Sequence, residues 1–411
     1  MFNFRYPLNY QLKDDIIAGI TVGIVTIPQG MAFALLAGLP PIYGLYGSFI
    51  PLLVYGLLGS SNFLNVGPVS VISIFIFNSL SPFVTPFTDE YVNAVIILGL
   101  MIGILQCLGG LLKLGKYVVF IPKAVIAGFI QAAAVVIIIS QLSPALGFEI
   151  PLGSNYGKTL AFMFEHLDSV HLSTFTLFTF SLLALFGTTR WFPSFPMAIV
   201  LLFISGAMAF LFHFETMGIA LIGEVPEGLP ALLIPAISWE LLNYLPSAFG
   251  IAFVATVGSF VMAKNVENKQ SHPWNPNQDM FALGISKIVG AFFGSLISAG
   301  SFNRSILTLK AGAKTQIAGL IGSLVIFFTL LFLTPIIYYL PQAVIAAIIV
   351  YSVYFLFDFA LIKNLWKTDR KQLSLLLITA FSTLLLGFVE GIIIGLISSL
   401  GTKFTWKKSP D

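Results

Sequence analysis

Charge is the scarcest thing in this chain: only 9% of its 411 residues are Asp, Glu, Lys or Arg, where a soluble domain carries about 25%. That shortage excludes a water-soluble enzyme, a nucleic-acid binder and a secreted module. There is a single cysteine, Cys107, inside an apolar stretch, so no internal disulfide is expected. The four histidines, His166, His171, His213 and His272, fall in loops without ligand spacing, and no metal centre is expected. Neither a nucleophile–base pair nor a phosphate-cradling glycine loop stands at a helix start. Catalysis, transport driven directly by nucleotide hydrolysis and a bound cofactor are therefore all disfavoured. The formal net charge of +3 is too small to call for a polyanionic partner.

Hydrocarbon is what the chain has instead. Apolar residues make up 57% of it, and one bilayer crossing takes roughly 20. The first apolar run, 16–39, is too long for a signal-peptide core and leads into Pro40-Pro41, so it reads as a retained crossing. Further runs lie near 42–58, 64–81, 94–112, 124–141, 173–187 and 195–212, then near 241–263, 280–299, 301–313, 315–334, 342–360, 373–388 and 389–402. The expected fold class is an all-α polytopic membrane protein with 14 transmembrane segments. The runs 64–81 and 301–313 are short for regular crossings, and transporters place their broken helices at such positions.

Pro-x-Ala-Val-Ile-Ala occurs twice, as Pro122 to Ala127 and as Pro341 to Ala346. The same offset pairs Ile102-Gly103 with Ile321-Gly322, which points to an internal duplication. Seven crossings is an odd number, so the second half enters the membrane upside-down: a 7+7 inverted repeat with residues 1–237 as the first unit and 238–411 as the second. Lysine and arginine set the orientation, because basic loops stay in the cytoplasm. With both termini inside, inner loops collect Lys113, Lys116, Lys123, Arg190, Lys264, Lys269, Lys310, Lys314, Lys363, Lys367, Arg370, Lys371, Lys403, Lys407 and Lys408. Outer loops take Lys158 and a series of acids that includes Asp89, Glu149, Glu165, Asp168, Glu215, Glu224, Glu227 and Glu240.

Four ionisable residues remain within apolar segments: Lys287, Arg304, Asp358 and Glu390. Lys287 and Asp358 are expected near inner helix ends, where long side chains snorkel. Glu390, in the joint Gly387-Phe-Val-Glu-Gly391, is expected to cap or pack a helix start. Arg304 stands at the break in a short segment, Ser301-Phe-Asn-Arg-Ser305. A guanidinium there costs at least about 2.5–3.5 kcal/mol, and a permanent cation facing a cavity attracts anions. The partner break, Leu64-Asn-Val-Gly-Pro-Val-Ser70, places Pro68 at a helix start. With the halves inverted, the two helix N-termini face one another, each with unpaired N–H groups and about half a positive charge. Ser70, Ser301 and Asn303 are expected to cap those ends or donate to a ligand. In the first crossing, Pro28 and Gly30 flank Gln29, which shares a helix face with Phe33 four residues on. That face either lines a small polar cavity or packs a neighbouring helix.

These residues resemble a known family. Ile27-Pro-Gln-Gly-Met-Ala-Phe-Ala34 with Leu39-Pro-Pro-Ile-Tyr-Gly-Leu-Tyr-Gly-Ser-Phe49 is similar to the signature of the sulfate permease (SulP) anion transporters, which include prestin and its relatives. Asn65 to Ile72, Gly223 to Pro230, Gly300 to Ser305, Ala313 to Gly319 and Gly387 to Gly391 also resemble that family, in its order. The resemblance implies a uracil-permease-like fold with a core domain (segments 1–4 and 8–11) and a gate domain (segments 5–7 and 12–14), commonly as a homodimer. It implies anion binding at Gln29, Phe33, Val69, Ser70, Asn303 and Arg304, to which the helix-end argument adds Ser301, and transport by an elevator movement. Many members carry a carboxylate in the eighth segment that is linked to cation coupling, whereas this chain reads Ala255-Thr-Val-Gly-Ser-Phe260. Proton coupling through that position is therefore in doubt, and sodium coupling, exchange and uniport stay open. Members usually continue into a cytoplasmic STAS domain; this sequence stops shortly after its last apolar run.

The sequence thus points to a secondary anion transporter of the plasma membrane, with sulfate as the first substrate. Bicarbonate, a dicarboxylate or chloride suits the same cationic site. The rivals are an anion channel built from the same residues, a motor or sensor of the prestin kind, and a nucleobase symporter. The last would want an acid near its substrate, where this chain has Arg304 and Gly258.

Overall fold

A computed structural model describes residues 12–118, 122–150, 156–191, 197–223, 228–235, 243–270, 274–354 and 357–406. Glu224, Glu227, Glu240, His272, Lys407 and Lys408, and the expected boundary between the halves, lie outside the described residues.

The apolar runs become helices. They are α1 (Leu12–Leu36), α2 (Pro41–Leu58), α3 (Ser70–Leu80), α4 (Asp89–Leu111), α5 (Lys123–Ser140), α6 (Leu172–Trp191) and α7 (Met197–Phe212). After the loop come α8 (Leu245–Gln270), α9 (Pro276–Phe292), α10 (Phe302–Lys310), α11 (Ile317–Phe332), α12 (Gln342–Tyr354), α13 (Arg370–Leu386) and α14 (Phe388–Trp406). Shorter helices, named by their residues, join them at 115–118, 142–146, 156–165, 334–337 and 359–368. Local chemistry sets several starts. Pro41 occupies the first turn of α2, Thr88 accepts from Tyr91 N–H at 3.2 Å to open α4, and Asn275 accepts from Asn277 and Gln278 N–H to open α9, as helix N-termini require. Among the described residues, five helices are long and apolar enough to cross a membrane. Large apolar side chains such as Phe180, Leu183, Leu385 and Ile397 stay exposed, as they do where lipid is the solvent.

Two packing groups emerge. α4 lies along α9, α1 along α11, α2 against α1, α9 and α11, and α8 against α4. On the other side α5 packs on α13 and α14, and α6 on α12. Small residues allow the closest approaches: a Cβ on Gly44 of α2 would collide with the Gly30 carbonyl of α1. Such contacts supply the van der Waals packing that joins helices in lipid.

α3 and α10 are short because extended backbone precedes each of them. β1 (Val66–Gly67) and β2 (Ala299–Gly300) pair antiparallel, Val66 opposite Gly300 and Gly67 opposite Ala299. Ser301 N–H donates to Asn65 O at 2.9 Å, Asn65 N–H to Ser305 Oγ at 2.9 Å and Gly300 N–H to Ser259 Oγ at 2.8 Å. Irregular backbone at membrane depth persists only where protein satisfies it in this way. Helix α3 begins at Ser70, two residues after Pro68, which stays in the extended segment.

Three buried acids, unforeseen from the sequence, hold the loop that leads into the first break and the loop that follows α10. Asp279 accepts from Ser60 N–H at 2.6 Å, Ser60 Oγ at 2.9 Å and Trp274 Nε1 at 2.6 Å. Glu267 Oε1 accepts from Ser61 Oγ at 2.6 Å and Asn62 N–H at 2.8 Å. Asp15 accepts from the N–H groups of Lys314 and Thr315 and from the Thr315 hydroxyl. Buried carboxylates need donors, and here main chain and hydroxyls provide them. Lys287 departs from its expectation: it is 3% exposed, inside α9, with its amine 3.4 Å from the Leu283 carbonyl one turn back. Snorkelling is closed to it because α9 is covered by α4 and α2 at that level. Asp358 is exposed and caps the helix 359–368 through Leu361 N–H at 2.8 Å, and Glu390 is exposed in the first turn of α14.

Candidate functional site

The β1–β2 pair sets where α3 and α10 begin. The residue before each helix, Val69 and Ser301, carries no side-chain capping bond. Ser301 is thus not the helix cap the sequence suggested. Helix geometry leaves the first N–H groups of each end without intrahelical partners, so both ends present donors and positive partial charge.

A cavity of about 450 Å³ opens at these two ends, and its wall includes Gln29, Phe33, Val69, Ser70, Ser301 and Asn303. Of the seven residues singled out from the sequence, six meet there although α1, α3 and α10 are far apart in the chain. Arg304 is the exception. It is 1% exposed and stands behind the cavity wall. Its Nε donates to Asn65 Oδ1 at 2.9 Å, Nη2 to Pro68 O at 2.9 Å and Nη1 to Gln29 Oε1 at 3.3 Å. A Cβ on Gly67 would lie 3.0 Å from Nη2, so glycine there makes room for the guanidinium.

These bonds change the arginine's role. The planar fork ties α10 to the extended segment before α3 and to α1, a geometry that a lysine ammonium does not reproduce. All three acceptors are neutral, so the positive charge is not cancelled by them. By occupying Gln29 Oε1, the guanidinium leaves the Gln29 amide group as a donor toward the cavity. Neither Asp358 nor Glu390, the two exposed acids of the apolar segments, bonds Arg304 among the described residues. The assembled surface is a concave patch of amide and hydroxyl donors, two positive helix ends and one buried cation. Its chemistry suits a small anion.

Gly258 of α8 also lines the cavity, and a Cβ built on it meets nothing within 4 Å. The wall thus has room for a side chain where the chain provides none. Two residues the sequence reading passed over belong to this region. Asn65 anchors Arg304, and a buried arginine's need for an acceptor near the opposed break was the signal for it. Gln131, the lone polar side chain between the ends of α5, lines the opposite wall.

The sequence matches the family model described as "Sulfate permease family" over residues 12–379. It is 36% identical over 409 residues to the chloroplastic sulfate transporter 4.1 of Arabidopsis thaliana, covering 97% of this chain and 59% of that protein. The chain therefore spans about three-fifths of the length of that relative. Its fold is similar to that of the murine Solute Carrier 26 family member A9 anion transporter in the inward-facing state, with a TM-score of 0.90, 25% identity, and 99% of this chain and 70% of that one covered. It also superposes on the transmembrane domain of the cyanobacterial bicarbonate transporter BicA, with a TM-score of 0.81, 23% identity, and 96% and 99% covered.

Proposed function

The chain belongs to the sulfate permease family, a family of transporters, not enzymes, and from that premise we propose that it moves a small oxyanion, sulfate first, as a secondary carrier. The observation that carries this reading is the donor-lined cavity between two uncapped helix ends, with the Arg304 charge behind it and neutral acceptors around that charge. The anion would sit against Gln29, Ser70, Ser301 and Asn303, with Phe33 and Val69 as apolar walls and Arg304 supplying field and geometry. Sulfate transport by the plant relative supports the first choice of substrate.

The finer reading extends to mechanism. In it the chain makes fourteen crossings as two inverted halves, both termini are cytoplasmic, and the plasma membrane is the site of action. A core of α1–α4 and α8–α11 carries the anion past a gate of α5–α7 and α12–α14 by an elevator movement, in a homodimer. The two packing groups support that division. With glycine at 258, α8 brings no carboxylate to the cavity among the described residues; the carboxylate on its lining is Asp358, which caps the helix 359–368.

The test is radiotracer uptake into proteoliposomes of sulfate, bicarbonate, fumarate and chloride, with and without sodium and an imposed proton gradient. Saturable sulfate uptake that the proton gradient leaves unchanged is the expected result. Uptake of another anion alone would reassign the substrate, and acid-driven accumulation would refute the uncoupled site. Unitary currents far above a carrier's turnover would favour a channel.

A further inference from the structure

The wall of the cavity opposite the two helix ends is built largely from α5, and its lining side chains there include Val125, Ile126, Phe129 and Ile130. Gln131 breaks this apolar surface. It is 8% exposed, and its Nε2 is buried without a hydrogen-bond partner. A buried amide donor left unmade is a liability that native structures rarely keep, and each instance calls for a cause such as an absent ligand. α5 contributes no other polar side chain to the cavity.

We propose that Gln131 is the gate-side hydrogen-bond donor to the transported anion and selects a polyatomic oxyanion over a halide. The inference rests on the anion-carrier reading and deepens it. A tetrahedral oxyanion presents acceptor oxygens in opposed directions, so it accepts from Gln29, Ser70 or Asn303 on one wall and from Gln131 on the other. A chloride ion is one atom and draws its donors from the helix-end wall alone. The donor opposite therefore rewards sulfate and adds nothing for chloride. A hydrogen bond to a charged ligand is among the stronger ones, and a site built to make it rejects a ligand that cannot.

The experiment compares Gln131→Leu, which removes the donor, and Gln131→Glu, which keeps the shape but presents an acceptor. Both are measured beside wild type and Asn303→Leu for sulfate and chloride uptake in proteoliposomes, with size-exclusion profiles and sulfate-induced thermal stabilisation as readouts of folding and binding. We expect the sulfate KM to rise about tenfold or more in Gln131→Leu, equivalent to about 1.4 kcal/mol, and further in Gln131→Glu. The chloride KM of Gln131→Leu should stay within about twofold of wild type, since one atom draws nothing from that donor. Gln131 variants that match wild type for sulfate, while Asn303→Leu loses it, overturn this inference and leave the helix-end site standing. Equal losses for both anions overturn it as well, because they mark a helix-packing role. If Asn303→Leu is also unaffected, or wild type neither binds nor carries either anion, the site reading itself fails and the inference falls with it. Should Gln131→Leu prove polydisperse, the uncharged and near-isosteric Gln131→Met decides by the same criteria.

Discussion

Arg304 shows how far a single residue is legible in a sequence. Its place in an apolar segment flagged it as costly, hence purposeful, and that much needs no coordinates. In the structure it is 1% exposed, stands outside the cavity lining and donates to Asn65, Pro68 and Gln29. A sequence does not say which acceptors a folded chain brings to a guanidinium. The consequence is testable. Arg304→Lys keeps the charge but loses the fork, leaving Asn65 Oδ1 or the Pro68 carbonyl short of a donor, at about 1–3 kcal/mol for each group stranded. We expect sulfate uptake to fall about tenfold or more and the thermal midpoint in detergent to drop together with it. A lysine variant with wild-type uptake and stability would show that field alone is needed. Gln131 teaches the converse lesson. A lone glutamine in an apolar helix was visible, but only the cavity distinguishes it from one that packs a neighbouring helix.

At the scale of the element, the break before α3 depends on acids that hold its loop. Glu267 lies three residues past the apolar span Leu245–Lys264. It anchors Ser61 and Asn62, while its Oε2 is buried without a partner. Burial pushes its carboxyl up to about 7, with the nearby Asp279 adding to the rise and the Ser61 and Asn62 bonds opposing it. The folded state therefore prefers the protonated acid. Its contribution to stability is complete below the unfolded value near 4.5 and is lost as pH climbs through about 7. The midpoint of thermal unfolding should fall between pH 5 and pH 8, and Glu267→Gln should flatten that slope. An unchanged slope in the glutamine variant would assign the titration elsewhere. The sequence indicated both broken elements through their shortness and Pro68. It did not reveal Asp279 and Glu267, which secure the first of them, because their partners are backbone amides and hydroxyls more than two hundred residues away.

For the whole molecule, side-chain charge decides which way the chain sits in the bilayer. In a Cys107→Ser background, Lys158→Cys in the exposed helix 156–165 should react with an impermeant maleimide from outside intact cells. Lys367→Cys, in the exposed helix 359–368, should react only after permeabilisation. The reverse pattern would invert the assignment of every loop.

Composition and patterning determined by themselves that this is a helical membrane protein, where its helices run, and which two of its segments are short. They could do so because lipid leaves the backbone few choices: any long apolar run must close its hydrogen bonds within a helix. What surrounds each break was decided by the tertiary structure. The pairing of β1 with β2, the Arg304 acceptors and the placement of Gln131 on the wall of the same cavity all bring together residues distant in sequence. Their energies come from geometry reached only once helices distant in the chain have packed.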